Sequence, residues 1–105
     1  MISTRVMDAG RGIPAYRVPV QLDAFIAGQG WKEVGHGMTS TDGTVHDFGV
    51  PEVAGIYRLM FDIAAYSSEN FFPSIAITFE VKNSAERHHI PLVLSAYGYS
   101  TFRES

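Results

Sequence analysis

From Val18 to Ile26, apolar side chains recur at every second position: Val18, Val20, Leu22, Ala24 and Ile26, with Pro19, Gln21, Asp23 and Phe25 between them. That period belongs to a strand with one buried face, and only Phe25 breaks it. The rhythm returns further along. Tyr57, Leu59 and Phe61 alternate with Ile56, Arg58 and Met60, a strand covered on both faces. Ile75, Ile77, Phe79 and Val81 alternate with Ala76, Thr78, Glu80 and Lys82, a half-buried one. His88 to Ser95 reads as a strand interrupted by Pro91, which lacks an N–H for the ladder and so fits an edge or a bulge. Turns punctuate the runs. Gly28-Gln29-Gly30 leads into a strand from Trp31 to about Thr39, Ser40-Thr41-Asp42-Gly43 closes it, and Ala96-Tyr97-Gly98 leads into a last strand ending near Arg103. A helix is expected only over Ile63 to Asn70, with Asp62 placed to cap it. Strands spaced in this way over 105 residues predict a single all-β domain, an antiparallel sandwich spanning residues 1–105.

Composition excludes several functions. A hydrophobic fraction of 46% against 18% charged residues describes a chain that folds. A net charge of −3 lacks the basic footprint of a nucleic-acid binder. There is no cysteine, hence no disulfide, thiolate metal site or cysteine nucleophile. Met1 to Gly12 contains no apolar h-region, and no stretch approaches the roughly 20 apolar residues of a membrane span, so a cytoplasmic protein without membrane partners is expected. So short a chain leaves much of its surface uncovered, and oligomerisation is a natural source of further stability.

Several segments resemble the transthyretin-like family, in its 5-hydroxyisourate hydrolase branch, and together they cover nearly the whole chain. Ser3-Thr4-Arg5-Val6-Met7-Asp8, followed by Gly12-Ile13-Pro14-Ala15, is similar to the family's opening S-T-H-V-L-D with a later G-x-P-A. Thr39-Ser40-Thr41-Asp42-Gly43 resembles its T-x-x-D-G turn, and Gly55-Ile56-Tyr57-Arg58-Leu59 its G-x-Y-x-L strand. The most specific stretch is His89-Ile90-Pro91-Leu92-Val93-Leu94-Ser95 with Tyr97-Gly98-Tyr99-Ser100-Thr101, similar to the H-V-P-L-L-L-S-P-Y-G-Y-S-T of hydrolase members. The resemblance implies a transthyretin-like sandwich of two four-stranded antiparallel sheets with one short helix. It also implies a homotetramer, a dimer of dimers around a channel lined by the first strand and the last two. Hydrolase members open the ring of 5-hydroxyisourate in that channel by adding water to a ring amide, with no metal or organic cofactor. The transthyretin branch uses the channel to carry hormone.

Ring-opening hydrolysis needs a base for water, a donor or cation for the developing oxyanion, and groups that orient a planar heterocycle. By the resemblance, the family draws these from a His on the first strand, an Arg after the D-G turn, a His before the V-P-L strand, and a closing Y-R-G-S. The match here is partial. His89 is the retained histidine, and an imidazole suits a base. Arg5 stands in place of the other His and cannot be a base. Thr44 stands in place of the Arg, so the chain loses one channel cation and gains another, and Arg5 becomes the candidate oxyanion contact. The closing residues are Phe102-Arg103-Glu104-Ser105, in which Arg103 and Ser105 match, Phe102 lacks the phenol hydroxyl and Glu104 adds a carboxylate. Period two puts Ser100, Phe102 and Glu104 on one face and Arg103 on the other.

The candidate site is therefore His89, Arg5, Arg103 and Ser105 for catalysis, with Thr44, Ser100, Phe102 and Glu104 for substrate binding. Each has a plainer reading: a satisfied strand histidine for His89, a solvated end charge for Glu104, lapsed selection at Arg5. His88 and Arg87 replace the family's Tyr and His, respectively, just before His89, and His36 and His46 complete the histidines. No spacing among the four suits a metal, and none is expected. A transthyretin-like protein without this activity, binding or transforming another small molecule in the channel, is the alternative.

Overall fold

The computed structural model describes residues 1–49 and 53–105. Its strands are β1 (Ile2–Asp8), β2 (Ile13–Pro14), β3 (Pro19–Ile26), β4 (Gly30–Met38), β5 (Thr44–Val45), β6 (Gly55–Asp62), β7 (Ser74–Val81), β8 (His88–Leu94) and β9 (Tyr99–Thr101). The one helix among the described residues, α1, covers Ile63–Tyr66. One sheet runs β4-β3-β6-β7. The other runs β2-β1-β8-β9, with β5 also pairing to β1. Two packed sheets enclose the core, as the alternating pattern requires: Val20, Leu22, Leu59, Phe61 and Ile75 from one meet Val6, Val45, Leu92 and Leu94 from the other. Among the described residues no helix is long and apolar enough to cross a membrane.

Four expectations need correction. The second sheet has five strands, because the residues after the Asp42-Gly43 turn pair with β1 as β5. Its central pair, β1 with β8, is parallel from Ile2↔His88 to Asp8↔Leu94. These strands come from opposite ends of the chain, so no hairpin forces them antiparallel. Pro91 sits inside this sheet, between β1 and β9, and not on an edge. Its carbonyl accepts from Thr101 Oγ1 at 2.8 Å, so its donorless nitrogen faces the β9 side. There the β8–β9 pairing stops, at Leu92↔Thr101, and the β1 ladder is undisturbed. The helix, finally, is one turn and not two. Asp62 caps it by accepting from Ala65 N at 3.1 Å, but Ser67 is already extended.

The exposed face of the other sheet carries a buried charge. Asp23 is 1% exposed although it falls between the apolar positions of β3. Arg58, its cross-strand partner on β6, donates to Asp23 Oδ2 from Nε at 3.1 Å and from a terminal nitrogen at 2.8 Å. Gln21 Nε2 donates to Oδ1 at 2.7 Å, and the Trp31 ring covers the guanidinium at 4.3 Å. Removing one partner strands the other charge out of water. Arg58→Met is expected to cost about 3–5 kcal/mol in urea unfolding, and the double variant Asp23→Leu/Arg58→Met to recover most of that loss. A single-variant cost under about 1 kcal/mol would mean that water already reaches the carboxylate.

Candidate active site

The register of the five-stranded sheet decides which side chains meet. On β1, Thr4 and Val6 point into the core, so Ser3, Arg5 and Met7 point out. Parallel pairing sets Ser3 beside His89, Arg5 beside Pro91 and Met7 beside Val93. On the other side of β1, Arg5 faces Thr44. Val93 pairs with Ser100 on β9. Arg5, Thr44, His89 and Ser100 thus share one outward face, and Ser3 belongs to it as well.

The Asp42-Gly43 turn fixes the Thr44 side of this face. Asp42 Oδ1 accepts from Ser40 Oγ at 2.5 Å and from Thr44 N at 3.0 Å, and these bonds, led by the Ser40 one, hold its carboxyl below the usual carboxylate range. Gly43 has φ +82°, and a Cβ there would run into the Val6 carbonyl. Glycine lets the turn lie directly on β1, where Val6 N donates to Gly43 O at 2.8 Å.

His89 is the best-held group. Its Nδ1 lies 2.7 Å from Ser3 Oγ, and Ser3 is 2% exposed. Its Nε2 lies 3.5 Å from Glu104 Oε1. Glu104 arrives because the chain resumes pairing beyond Pro91: Glu104 N donates to His89 O at 3.0 Å, and His89 N to Ser105 O at 3.2 Å. Burial pushes the imidazole pKa down from its ordinary value. Glu104 opposes that shift, while Arg87, Arg5 and His46 add to it. The neutral, base-competent form is therefore favoured near pH 7.

The other expected residues divide. Arg5 is exposed and makes no hydrogen bond or ion pair with the described residues, so its guanidinium is available to a ligand on this face. Thr44 is 9% exposed beside it. Phe102 is half exposed. Arg103 turns away to the rim, 3.7 Å from Glu86 and donating to the Arg87 carbonyl at 3.2 Å. Its Nε also donates to Ser105 O at 2.9 Å, so Arg103 and Ser105 brace the closing segment and neither contacts the imidazole ring. His88 is buried on the opposite side of β8, with Nδ1 3.1 Å from Glu86 O.

Two members of the face were missed in the sequence. Ser3 was visible only as part of the opening motif, although period two already put it on the Arg5 side of β1. His46 follows Val45 and so emerges on the same side as Thr44. Its position was legible only once β5 was known to pair with β1. Among the described residues no three His, Cys, Asp or Glu side chains converge as a metal site. A depression of about 650 Å³ on the other sheet, lined by Val20, Gln21, His36, Met38 and Met60 among others, shares none of these residues.

The comparisons agree with this architecture. A family model described as the HIUase/Transthyretin family matches residues 2–104. The chain belongs to that family. Within it, the chain is 38% identical to the uric acid degradation bifunctional protein TTL of Arabidopsis thaliana, over 99% of this chain but only 37% of the longer protein. It is 36% identical to a probable 5-hydroxyisourate hydrolase of Caenorhabditis elegans, over 99% of this chain and 80% of the relative. Among solved structures, the 5-hydroxyisourate hydrolase of Klebsiella pneumoniae superposes with a TM-score of 0.84 at 28% identity, covering 99% and 98% of the two chains. Sea bream transthyretin in complex with thyroxine gives 0.90 at 26%, covering 97% and 92%. A transthyretin and a 5-hydroxyisourate hydrolase both share this fold, so the fold alone does not distinguish the two activities.

Proposed function

We propose that this protein hydrolyses 5-hydroxyisourate, or a closely related cyclic amide, by adding water to a ring amide. The observation that carries this reading is His89. A buried Ser3 hydroxyl holds its Nδ1, burial favours the neutral ring, and Nε2 faces the side that also bears Arg5. In the proposed reaction His89 takes a proton from water as the oxygen adds to the carbonyl carbon. Arg5 holds the oxyanion that develops. Thr44, Ser100, Phe102 and Glu104 orient the ring, and Arg103 and Ser105 support the site from the rim. No metal or organic cofactor takes part.

The same proposal makes the working form a homotetramer, a dimer of dimers, and places the reaction in cytoplasmic urate degradation. The His89 face is open on a single chain, and hydrolysis of a bound heterocycle calls for a second wall. Among the described residues β7 and β9 are edge strands of their sheets, and Phe71, Phe72, Tyr97 and Tyr99 are exposed near them, with Phe72 and Tyr99 in edge-to-face contact at 5.4 Å. Unpaired edges flanked by exposed aromatics suit self-association.

The test is to generate 5-hydroxyisourate in place from urate with urate oxidase and follow its ultraviolet decay with and without the protein. Acceleration in proportion to protein concentration is the expected result. A second reading, a channel protein that binds a small molecule without hydrolysing it, is favoured by Arg5 and Thr44, which depart from the hydrolase pattern. No acceleration by a folded tetramer would establish that reading over the first.

A further inference from the structure

We propose that His46 is a second catalytic residue of the Ser3–His89 face, the acid that protonates the departing ring nitrogen. The inference rests on the hydrolase reading and adds a proton donor to it. Amide hydrolysis moves two protons. One leaves the attacking water, and one must reach the nitrogen as the carbon–nitrogen bond breaks. Once His89 has taken the first, it sits on the side of the incoming water. A separate acid on the far side of the ring then supplies the second without rotation of the substrate.

The outward face offers few groups for that task. Arg5 does not release a proton at working pH. Ser100 is a hydroxyl with no adjacent base among the described residues, the Thr44 hydroxyl is engaged with the Asp42 carboxylate, and Glu104 lies at the His89 end, 3.5 Å from its Nε2. His46 remains. It follows Thr44 and Val45, which pair with Arg5 and Thr4, so continuing the register by one residue brings it opposite Ser3. Ser3 is in turn opposite His89. The order across the sheet is His46, Ser3, His89, with the two histidines two strand spacings apart, about 10 Å between backbones. A planar ring lying over Ser3 would have an imidazole at each end. His46 is exposed, makes no hydrogen bond or ion pair with the described residues, and so has its ring free for a ligand.

The proton balance closes. Water gives one proton to His89 Nε2 and its oxygen to the carbonyl carbon. The tetrahedral intermediate collapses with loss of the carbon–nitrogen bond, and the nitrogen takes a proton from the His46 imidazolium. Transfer from His89 to His46 through solvent resets both. The groups facing the pair are Ser3 and Arg5 from β1, Asp42 from the turn before β5, Arg87 preceding β8, and Glu104 from the closing segment.

Two readouts on the full chain test the assignment. The first is the pH profile of kcat for 5-hydroxyisourate decay in the wild type and in His46→Gln. The expected result is a bell-shaped wild-type profile, a loss of at least about tenfold in the variant, and disappearance of the alkaline limb, where the acid would otherwise deprotonate. The second is NMR titration of the histidine rings without substrate, in which His89 should titrate at higher pH in His46→Gln because a neighbouring cation has gone. A variant with wild-type kcat and an unchanged profile overturns the role of His46, as does a His89 titration indifferent to it. If the wild type fails to accelerate decay at all, the hydrolase reading falls. The NMR result still decides whether the two imidazoles form a coupled pair.

Discussion

His89→Ala is expected to lower kcat/KM for 5-hydroxyisourate by about 100- to 10,000-fold, the usual worth of a positioned general base. The fold should survive the change, because the ring lies on the outward face and the backbone bonds of residue 89 to Glu104 and Ser105 do not depend on the side chain. The same measurement in the wild type should show activity falling as acidity rises through the His89 pKa, since protonation removes the base. That fall should occur below the ordinary imidazole value of about 6.5, because burial and then Arg87, Arg5 and His46 disfavour the charged ring. Glu104 works against them, so Glu104→Gln should carry the acid limb to still lower pH. His89→Ala with wild-type activity, or an acid limb above neutrality, would remove His89 as the base. His89→Gln is a useful companion. It keeps a side chain beside Ser3 but cannot accept the proton, so it should be nearly as inactive as the alanine variant.

The parts of this molecule that sequence revealed are those with short-range causes. Alternation in Val18–Ile26 follows from one strand on one core, and β3 lies at Pro19–Ile26. Asp62 caps the helix as its residue type predicts, and Asp42-Gly43 makes the turn. What stayed hidden was long-range. Pro91 points to an edge or a bulge because a proline removes a donor. The strand has two sides, and the donor is missing only on the side where β9 has already stopped. Asp23 falls on the outward side of the β3 alternation, yet it is covered by Arg58, 35 positions away, whose guanidinium lies under the Trp31 ring. The site divides likewise. His89 stood out through the motif around it. Its bond to Ser3 spans 86 positions, and nothing local announces it. His46 looked like one scattered histidine among four until β5 was found on β1.

Arg5→Ala is expected to reduce kcat by about 100- to 1,000-fold, the cost of losing one preorganised oxyanion donor. The argument is geometric. Arg5 and Thr44 are direct cross-strand partners, so a cation moved from one position to the other shifts by a single strand spacing, about 5 Å, and still serves the same face. Arginine's length makes that shift tolerable, and no described carboxylate competes for it. A role in the transition state lowers kcat; a role in ground-state binding would raise KM and leave kcat alone. Arg5→Lys should fall between wild type and Arg5→Ala, because an ammonium keeps the charge but loses the planar fork. The decisive variant is the exchange Arg5→His/Thr44→Arg, which restores the arrangement of the hydrolase pattern. If Arg5 has taken over the cation's work, Arg5→His alone should be severely impaired and the exchange should regain most of the activity. Equal impairment of both would mean that the guanidinium of Arg5 acts from a place that residue 44 cannot reach. Full activity in Arg5→Ala would mean that the oxyanion is held by some other group.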